Sequence, residues 1–534
     1  MATTVSTSTA TTDEAADNPR LRLLLAMAMF VLVIDTSMMN VSISAVVEDL
    51  GTTVSGVQSA IALEALVSAA FILINSKIGD LIGRKRAYVI GLLAYALGAL
   101  TMALTQSLVP VILFWAIFGG IGASLLLPAM QSLIHGNFSG KAQAKAYALV
   151  GAAAAIAAAI GPLLGGFITT YLSWRIGFLL EVVIIAVVLS GIKMVKDVPY
   201  TGPRDIDIVG AICSILGMGG VVLGILVWQE GGESVGALIA IGIAALAALA
   251  YWLTRRKREG KATLLDPDLF RSPHFRGGVS QQMLQQISLG GMMIALPIFL
   301  QMVLEYNAME AGLSLAPLSL SMFAIALLAG KKAGKRRPSV IIRGGFAMLA
   351  LGSLLVILVV PRADSGWYLT IPLIIAGTGL GMLVSQLNNF TLAPISEERI
   401  SEAAGVNSAA GNFGLSFGLA FAGAIMLATL SFLFTDMAED STVLSPEQQQ
   451  QVATALEDDA QVMSNTHLEE QLAGQPQETR DEIVRINTDA RPRALQVALL
   501  VPLIAGAIGL LLSFRMVRLP DIQPSTSLEG VLGG

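Results

Sequence analysis

The chain has 534 residues, 54% of them hydrophobic and 13% charged, with a net charge of −5 and a mean hydropathy of +0.72. Soluble domains are about 25% charged, so these values exclude a soluble protein with one anchor and point to an all-α integral membrane protein. The single cysteine, Cys213, excludes an internal disulfide.

Residues 1–19 are rich in Ser, Thr and Ala and read as a disordered cytoplasmic N-terminus. They are not a signal peptide, because no basic segment precedes a short apolar core with a cleavage site. Fourteen apolar runs follow, at roughly 22–45, 57–78, 88–106, 109–134, 147–171, 175–195, 207–228, 234–253, 279–303, 311–330, 341–361, 367–392, 405–434 and 494–514. Each approaches the roughly 20 residues that cross a bilayer. The runs within 207–253 have no polar face and so read as spans rather than surface helices.

Between spans 2 and 3 lies a short polar connection, Ser76–Arg86, with Arg84, Lys85 and Arg86 in succession. Basic loops stay in the cytoplasm. With that loop inside, the other inside loops carry Lys141 and Lys145, Lys193, Lys196 and Arg204, Arg255–Arg258, and Lys331 to Arg337. The outside loops carry mainly Glu48, Asp49, Glu230, Glu233, Glu305, Glu310 and Asp364. This asymmetry predicts an even number of spans with both termini inside. The basic loops after spans 2 and 10 echo each other. The expected division is a six-helix bundle over 20–196, inserted spans 7 and 8 over 197–262, a second six-helix bundle over 263–516, and a cytoplasmic tail over 517–534.

The second bundle contains an acidic outer segment, 436–491. Ser445-Pro446-Glu447-Gln448 and Thr466-His467-Leu468-Glu469 read as helix starts, and Gly474 as a stop. This predicts a small helical hairpin, with a solvated tether as the alternative.

No phosphate-binding loop, metal cluster or nucleophile motif occurs, so an enzyme is not expected and no cofactor is implied. What stands out is acid within apolar spans: Asp35 in span 1, Glu64 in span 2 and Glu181 in span 6. Such groups cost about 2.5–3.5 kcal/mol each on insertion scales, and no Lys or Arg lies deep in a span to pair with them. Protonation or a cationic ligand is the economical account; a protonated acid bonded to a neighbouring helix, or a solvated end for Glu181, is the alternative. Met38 and Met39 share the face of Asp35, which suits a cationic, lipophilic ligand or simple packing. Gln281, Gln285 and Ser288 form a polar stripe on span 9, with Gln282 and Gln286 beside it; the stripe either lines a cavity or joins helices. Gln301 reads as interfacial. Gly161-Pro162-Leu163-Leu164-Gly165-Gly166 in span 5 reads as a bending hinge or as tight static packing.

These residues resemble the major facilitator superfamily, and within it the fourteen-span drug:proton antiporters of the EmrB/QacA type. Ser76–Arg86 matches the loop 2–3 signature with Asp80, Gly83, Arg84 and Lys85 in place, although Ser76 stands for Gly and Leu81 for a frequent Arg. Residues 34–41 match the span 1 signature with Asp35 and Asn40. Residues 161–166 match the span 5 antiporter signature, with Ala157 replacing an earlier Gly. Residues 296–301, 310–313 and Pro317 match spans 9 and 10. Span 4 departs: Ala116 stands where the family has an Arg linked to proton coupling, while Glu64 and Glu181 stand where it has an aromatic and an amide. The resemblance implies a central cavity between two rocking halves, with Asp80 and the basic residues after it holding the outward-open state. The expected function is export of lipophilic or cationic compounds across the cell membrane by proton antiport. The alternative is an exporter or flippase of a native envelope lipid or metabolite, with 436–491 handing cargo to an envelope partner. The expected partners are a small substrate, protons and the bilayer, not nucleic acid.

Overall fold

The computed structural model describes residues 18–197, 205–229, 232–331, 337–396, 399–450, 468–469 and 472–520. Among them all regular structure is helical. Fourteen helices are long and apolar enough to cross a bilayer, matching the expected runs. Spans 1 to 6 are Pro19–Val41, Val54–Ile82, Arg84–Leu104, Leu108–Asn137, Lys145–Tyr171 and Trp174–Met194. Spans 7 and 8 are Ile208–Gln229 and Val235–Arg258. Spans 9 to 14 are Pro273–Val303, Ala308–Leu328, Pro338–Arg362, Gly366–Leu392, Glu402–Glu439 and Gln477–Val517. An even number of crossings places the start of span 1 and the end of span 14 at one face, here the terminal face; the opposite face is the far face.

Local chemistry sets the helix starts. Asn18 accepts from the Leu21 amide with Pro19 in the first turn, Thr53 accepts from Gly56, and Ser272 accepts from Phe275 ahead of Pro273. The connection read over Ser76–Arg86 is not a loop. Span 2 stays helical to Ile82 and span 3 begins at Arg84. Gly83 alone turns the chain, at φ +100°, where a side chain would be strained and its Cβ would sit 2.9 Å from Asp197.

Spans 1 to 6 pack chiefly on one another, as do spans 9 to 14. Two helix pairs join these groups: span 5 lies along span 10, and span 2 along span 13. Small residues permit the first. A Cβ on Gly166 would stand 2.5 Å from the Ala308 carbonyl oxygen, and one on Gly165 would stand 2.9 Å from the Met38 Cα. Pro162 lies within the same helix, its carbonyl against Gly312 of span 10. The segment 161–166 is therefore tight packing in this state, wedged between spans 1 and 10. The Met309 amide donates to Thr170 Oγ1 at 2.9 Å, closing the far-face end of this pair. Span 7 packs on both spans 2 and 13, and span 8 packs on span 7.

At the terminal face Asp266, in the segment after span 8, takes Lys257 Nζ at 2.6 Å and Arg399 at 2.9 Å, and its amide donates to Glu402 at 2.5 Å. Burial opposes its ionisation, but Lys257, the Asp268 amide and Arg399 outweigh that and hold its carboxyl below the usual range.

At the far face spans 13 and 14 outrun the bilayer. Span 13 has 38 residues, which is about 57 Å at 1.5 Å per residue, against about 40–45 Å for a whole membrane. The helix start at Ser445 is present: its amide donates to Gln448 Oε1 at 3.0 Å and its hydroxyl accepts from the Gln448 amide at 3.4 Å. Residues 451–467, with the second expected helix start at Thr466, lie outside the described residues. Span 14 does not begin near 494. A helix over Gln477–Ala498 leads into it, and Glu482 ties that helix to Ser441 at 2.7 Å.

Gly166→Leu should force spans 5 and 10 apart at the far face. In a Cys213→Ser background, a Thr170→Cys/Met309→Cys pair should cross-link readily, and adding Gly166→Leu should lower the yield severalfold. Unchanged cross-linking would contradict this account of the contact.

Candidate functional site

Asp35 is 1% exposed in the middle of span 1. Two neutral donors from neighbouring helices hold it. Tyr95 of span 3 donates its hydroxyl to Oδ2, and Trp115 of span 4 donates Nε1 to Oδ2 at 3.0 Å and to Oδ1 at 3.2 Å. Trp115 lies in a π-helical stretch, Val111–Gly119. An extra residue in a turn re-aims the side chains that follow, and such turns concentrate at functional sites. Here the indole faces Asp35, and Ala116 is fully buried beside it. Phe178 of span 6 packs edge-on to Trp115, with ring centroids 6.3 Å apart.

Glu181 sits three residues beyond Phe178 and is 2% exposed. Neither of its carboxyl oxygens has a hydrogen-bond partner among the described residues. It is buried, not at a solvated helix end. Asp35 is near enough for its charge to act on both Glu64 and Glu181, and all three acids act on Tyr95. The first six spans thus enclose three acids, one with two donors and one with none. Glu64 is half-buried. One helical turn further along span 2, Ser68 accepts from Asn412 of span 13 at 3.2 Å, so Glu64 stands next to the seam between the two groups of spans.

The methionines pack. Met38 fills the space over Gly165 and Gly177, and Met39 is fully buried. Span 9 carries two polar stripes with different directions. Gln281 donates to the Gly509 carbonyl at 2.9 Å and Ser288 to that of Pro502 at 3.1 Å. That stripe, with Gln285 between them and 2% exposed, joins span 9 to span 14 and lines no seam. Gln282 and Gln286 face span 13 at Gly411, their nearest atoms 3.4 and 3.7 Å from where a Cβ would stand. Further along that stripe Met293 meets Asn40 of span 1, with Nδ2 to Sδ at 3.9 Å. Gln301 is buried, not interfacial: it accepts from the Ser44 amide at 3.1 Å and hydroxyl at 2.5 Å, tying span 9 to the helix after span 1.

Across the Gly83 turn, Arg84 at the start of span 3 pairs with Asp80 near the end of span 2 at 2.9 Å. The Lys85 amide donates to Asp197 at 3.0 Å and its ammonium to the Val195 carbonyl at 2.8 Å, while Arg86 is exposed. These contacts all stay within the first six spans and the segment after span 6.

The sequence model of the Major Facilitator Superfamily matches residues 25–419. The chain belongs to this superfamily. It is similar to the "Probable actinorhodin transporter" of Streptomyces coelicolor, at 26% identity over 419 residues, covering 76% of this chain and 72% of that one. It is equally similar to the multidrug resistance protein Stp of Mycobacterium tuberculosis, at 26% over 409 residues, covering 76% and 75%. The quinolone resistance protein NorB of Staphylococcus aureus is 26% identical over 399 residues, covering 72% and 83%. In fold it resembles a bacterial homologue of the lysosomal transporter Spinster, with a TM-score of 0.62 and 12% identity over 95% of this chain and 98% of that one. The chain is therefore a multi-pass membrane transporter, not an enzyme.

Tyr95 and Trp115 did not stand out among the apolar spans, although a buried Tyr or Trp usually needs a partner for its polar tip, and an acid was available. Trp115→Phe should destabilise the protein by about 1–3 kcal/mol, the cost of a lost bond to a buried charged group. The same change in an Asp35→Asn background should cost clearly less. Equal costs in both backgrounds, read by thermal unfolding in detergent, would mean that the indole acts through packing alone.

Proposed function

We propose that the chain exports small lipophilic compounds from the cytoplasm by exchanging them for protons. The observation that carries this is Glu181, buried near Asp35 with neither carboxyl oxygen partnered among the described residues. An ionised carboxylate there would lose its hydration with no compensating contact, so in this state it carries a proton. A site that is stable only when loaded is a site that can deliver the load. Glu64, half-buried beside the seam, provides a step between the enclosed pair and the space where cargo passes. No Lys or Arg occurs in 23–76 or in 87–140, so spans 1 and 2 and the spans that hold Asp35 carry no fixed cation within the bilayer.

Export rather than uptake is supported by relatives named for multidrug and quinolone resistance and for transport of actinorhodin. The basic residues gathered at the terminal face support a cytoplasmic position for that face. The closed far-face contacts between spans 5 and 10 then make this an outwardly sealed state, and the exchange proceeds by rocking of the two groups of spans about the seam.

Ethidium accumulation in everted vesicles tests the coupling. Wild-type transport should require a proton gradient and stop when an ionophore collapses it. Glu181→Gln and Asp35→Asn should each lower gradient-driven uptake at least tenfold at equal protein levels. Undiminished uptake after collapse of the gradient would overturn proton exchange.

A further inference from the structure

Two amide oxygens at the seam have no partner among the described residues. Asn40 of span 1 is 3% exposed; its Nδ2 donates to the Thr36 carbonyl at 2.8 Å and touches Met293, while its Oδ1 is unmatched. Gln286 of span 9 lies against Gly411, and its Oε1 is likewise unmatched. Gln286 and Met293 are seven residues apart on one face of span 9, about 10 Å along its axis. The two oxygens thus flank a stretch of seam of drug-like length. A buried acceptor is costly to leave unmade, and the neighbouring stripe of span 9 shows the contrast, since Gln281 and Ser288 spend their donors on span 14.

Positive charge at the seam is confined to its far-face end, where buried Arg491 stands in a pocket with Val54 of span 2, Phe299 of span 9 and Leu430 of span 13. No Lys, Arg or His occurs in 23–76, 277–330 or 400–450, which hold spans 1, 2, 9 and 13 almost entirely. The ionisable group beside the seam is Glu64. An anionic cargo between Asn40 and Gln286 would therefore meet acceptors and an acid, with no cation on these four spans to offset its charge.

We infer that the cargo is a small neutral or cationic compound with hydroxyl or N–H donors, which Asn40 Oδ1 and Gln286 Oε1 accept at the seam between spans 1 and 9. This rests on the reading of the chain as an exporter, because it requires a cargo. Equilibrium binding needs no gradient, so its outcome is independent of whether transport is proton-driven.

The test uses the full chain in lipid nanodiscs at pH 6 with two probes, a pentahydroxyflavone and its pentamethyl ether, which keeps the ring system and removes every donor. The hydroxylated probe should bind at least tenfold tighter, and its sulfate ester should bind more weakly than the parent. In Gln286→Met, which is nearly isosteric, and in Asn40→Ala, the advantage of the parent should fall to threefold or less while the affinity of the ether is unchanged. The unchanged ether also reports that the variant is folded; if Asn40→Ala does not fold, Gln286→Met decides alone. Gln281→Leu, facing span 14, should keep the full discrimination. Equal binding of the two probes, retained discrimination in Gln286→Met, tighter binding of the sulfate ester, or no binding of either probe would each overturn the assignment.

Discussion

A carboxylate removed from water must find donors, a cation or a proton, and the first six spans are arranged around that demand. Asp35 finds donors, one from span 3 and one from span 4. Glu181 finds none among the described residues. Moving an ion of this size into a low-dielectric interior costs several kcal/mol even after relaxation, comparable to the whole stability of many domains. A protein does not retain two such groups in one pocket for packing, since a Leu or Met would fill the same volume more favourably. The pocket is better understood as a place where charge arrives and leaves.

For Asp35 and Glu181 that demand is kept apart from the surface where the two groups of spans meet: both are buried among spans 1, 3, 4 and 6, whereas Glu64 of span 2 stands beside that surface, among amides and small residues. Gly165 and Gly166 allow span 5 to touch span 1 on one side and span 10 on the other. Span 1 contributes to both regions: Asp35 faces spans 3 and 4, and Asn40 faces span 9. A change in the hydrogen bonding of Asp35 therefore reaches the seam along five residues of a single helix. The separation lets charge state and cargo act on one rigid element without competing for the same atoms.

The fourteen spans and the common face of the two ends were legible because length and hydropathy alone specify them. The acids were legible because charge is rare in apolar runs. Facing was much less so. In a soluble helix the polar side marks the solvent, but here both lipid and neighbouring helices are apolar, so the rotation of span 9 is invisible until its neighbours are known. Hence Gln281, Gln285 and Ser288 read as the stripe that lines a cavity or joins helices, with Gln282 and Gln286 only beside it, whereas the first set joins span 14 and the second faces span 13; Gln301 likewise read as interfacial although it bonds to Ser44. The polar stretch 76–86 looked like a loop because its charges broke the apolar run, yet only Gly83 leaves the helix. The helix over 477–498 was obscured for the opposite reason: its hydrogen bonds continue where its hydropathy stops.

The exchange of a basic residue for Ala116 gains meaning from the π-helical turn around it. A guanidinium at this position would offer Asp35 a permanent counter-ion, and the pair would be neutral whether or not a proton was present. Trp115 supplies hydrogen bonds without charge. The net charge of the pocket is then set by its own protons and by any cation nearby, so each loading event changes the electrostatic energy of the pocket by close to a full unit charge in a poorly screened interior. Neutral donors also hold the carboxylate in place through that change, because the indole N–H and the phenol remain donors in both states. A fixed geometry with a variable charge suits the proposed exchange: the helices that hold Asp35 need not repack when its charge changes, and span 1 runs from that residue to the seam at Asn40.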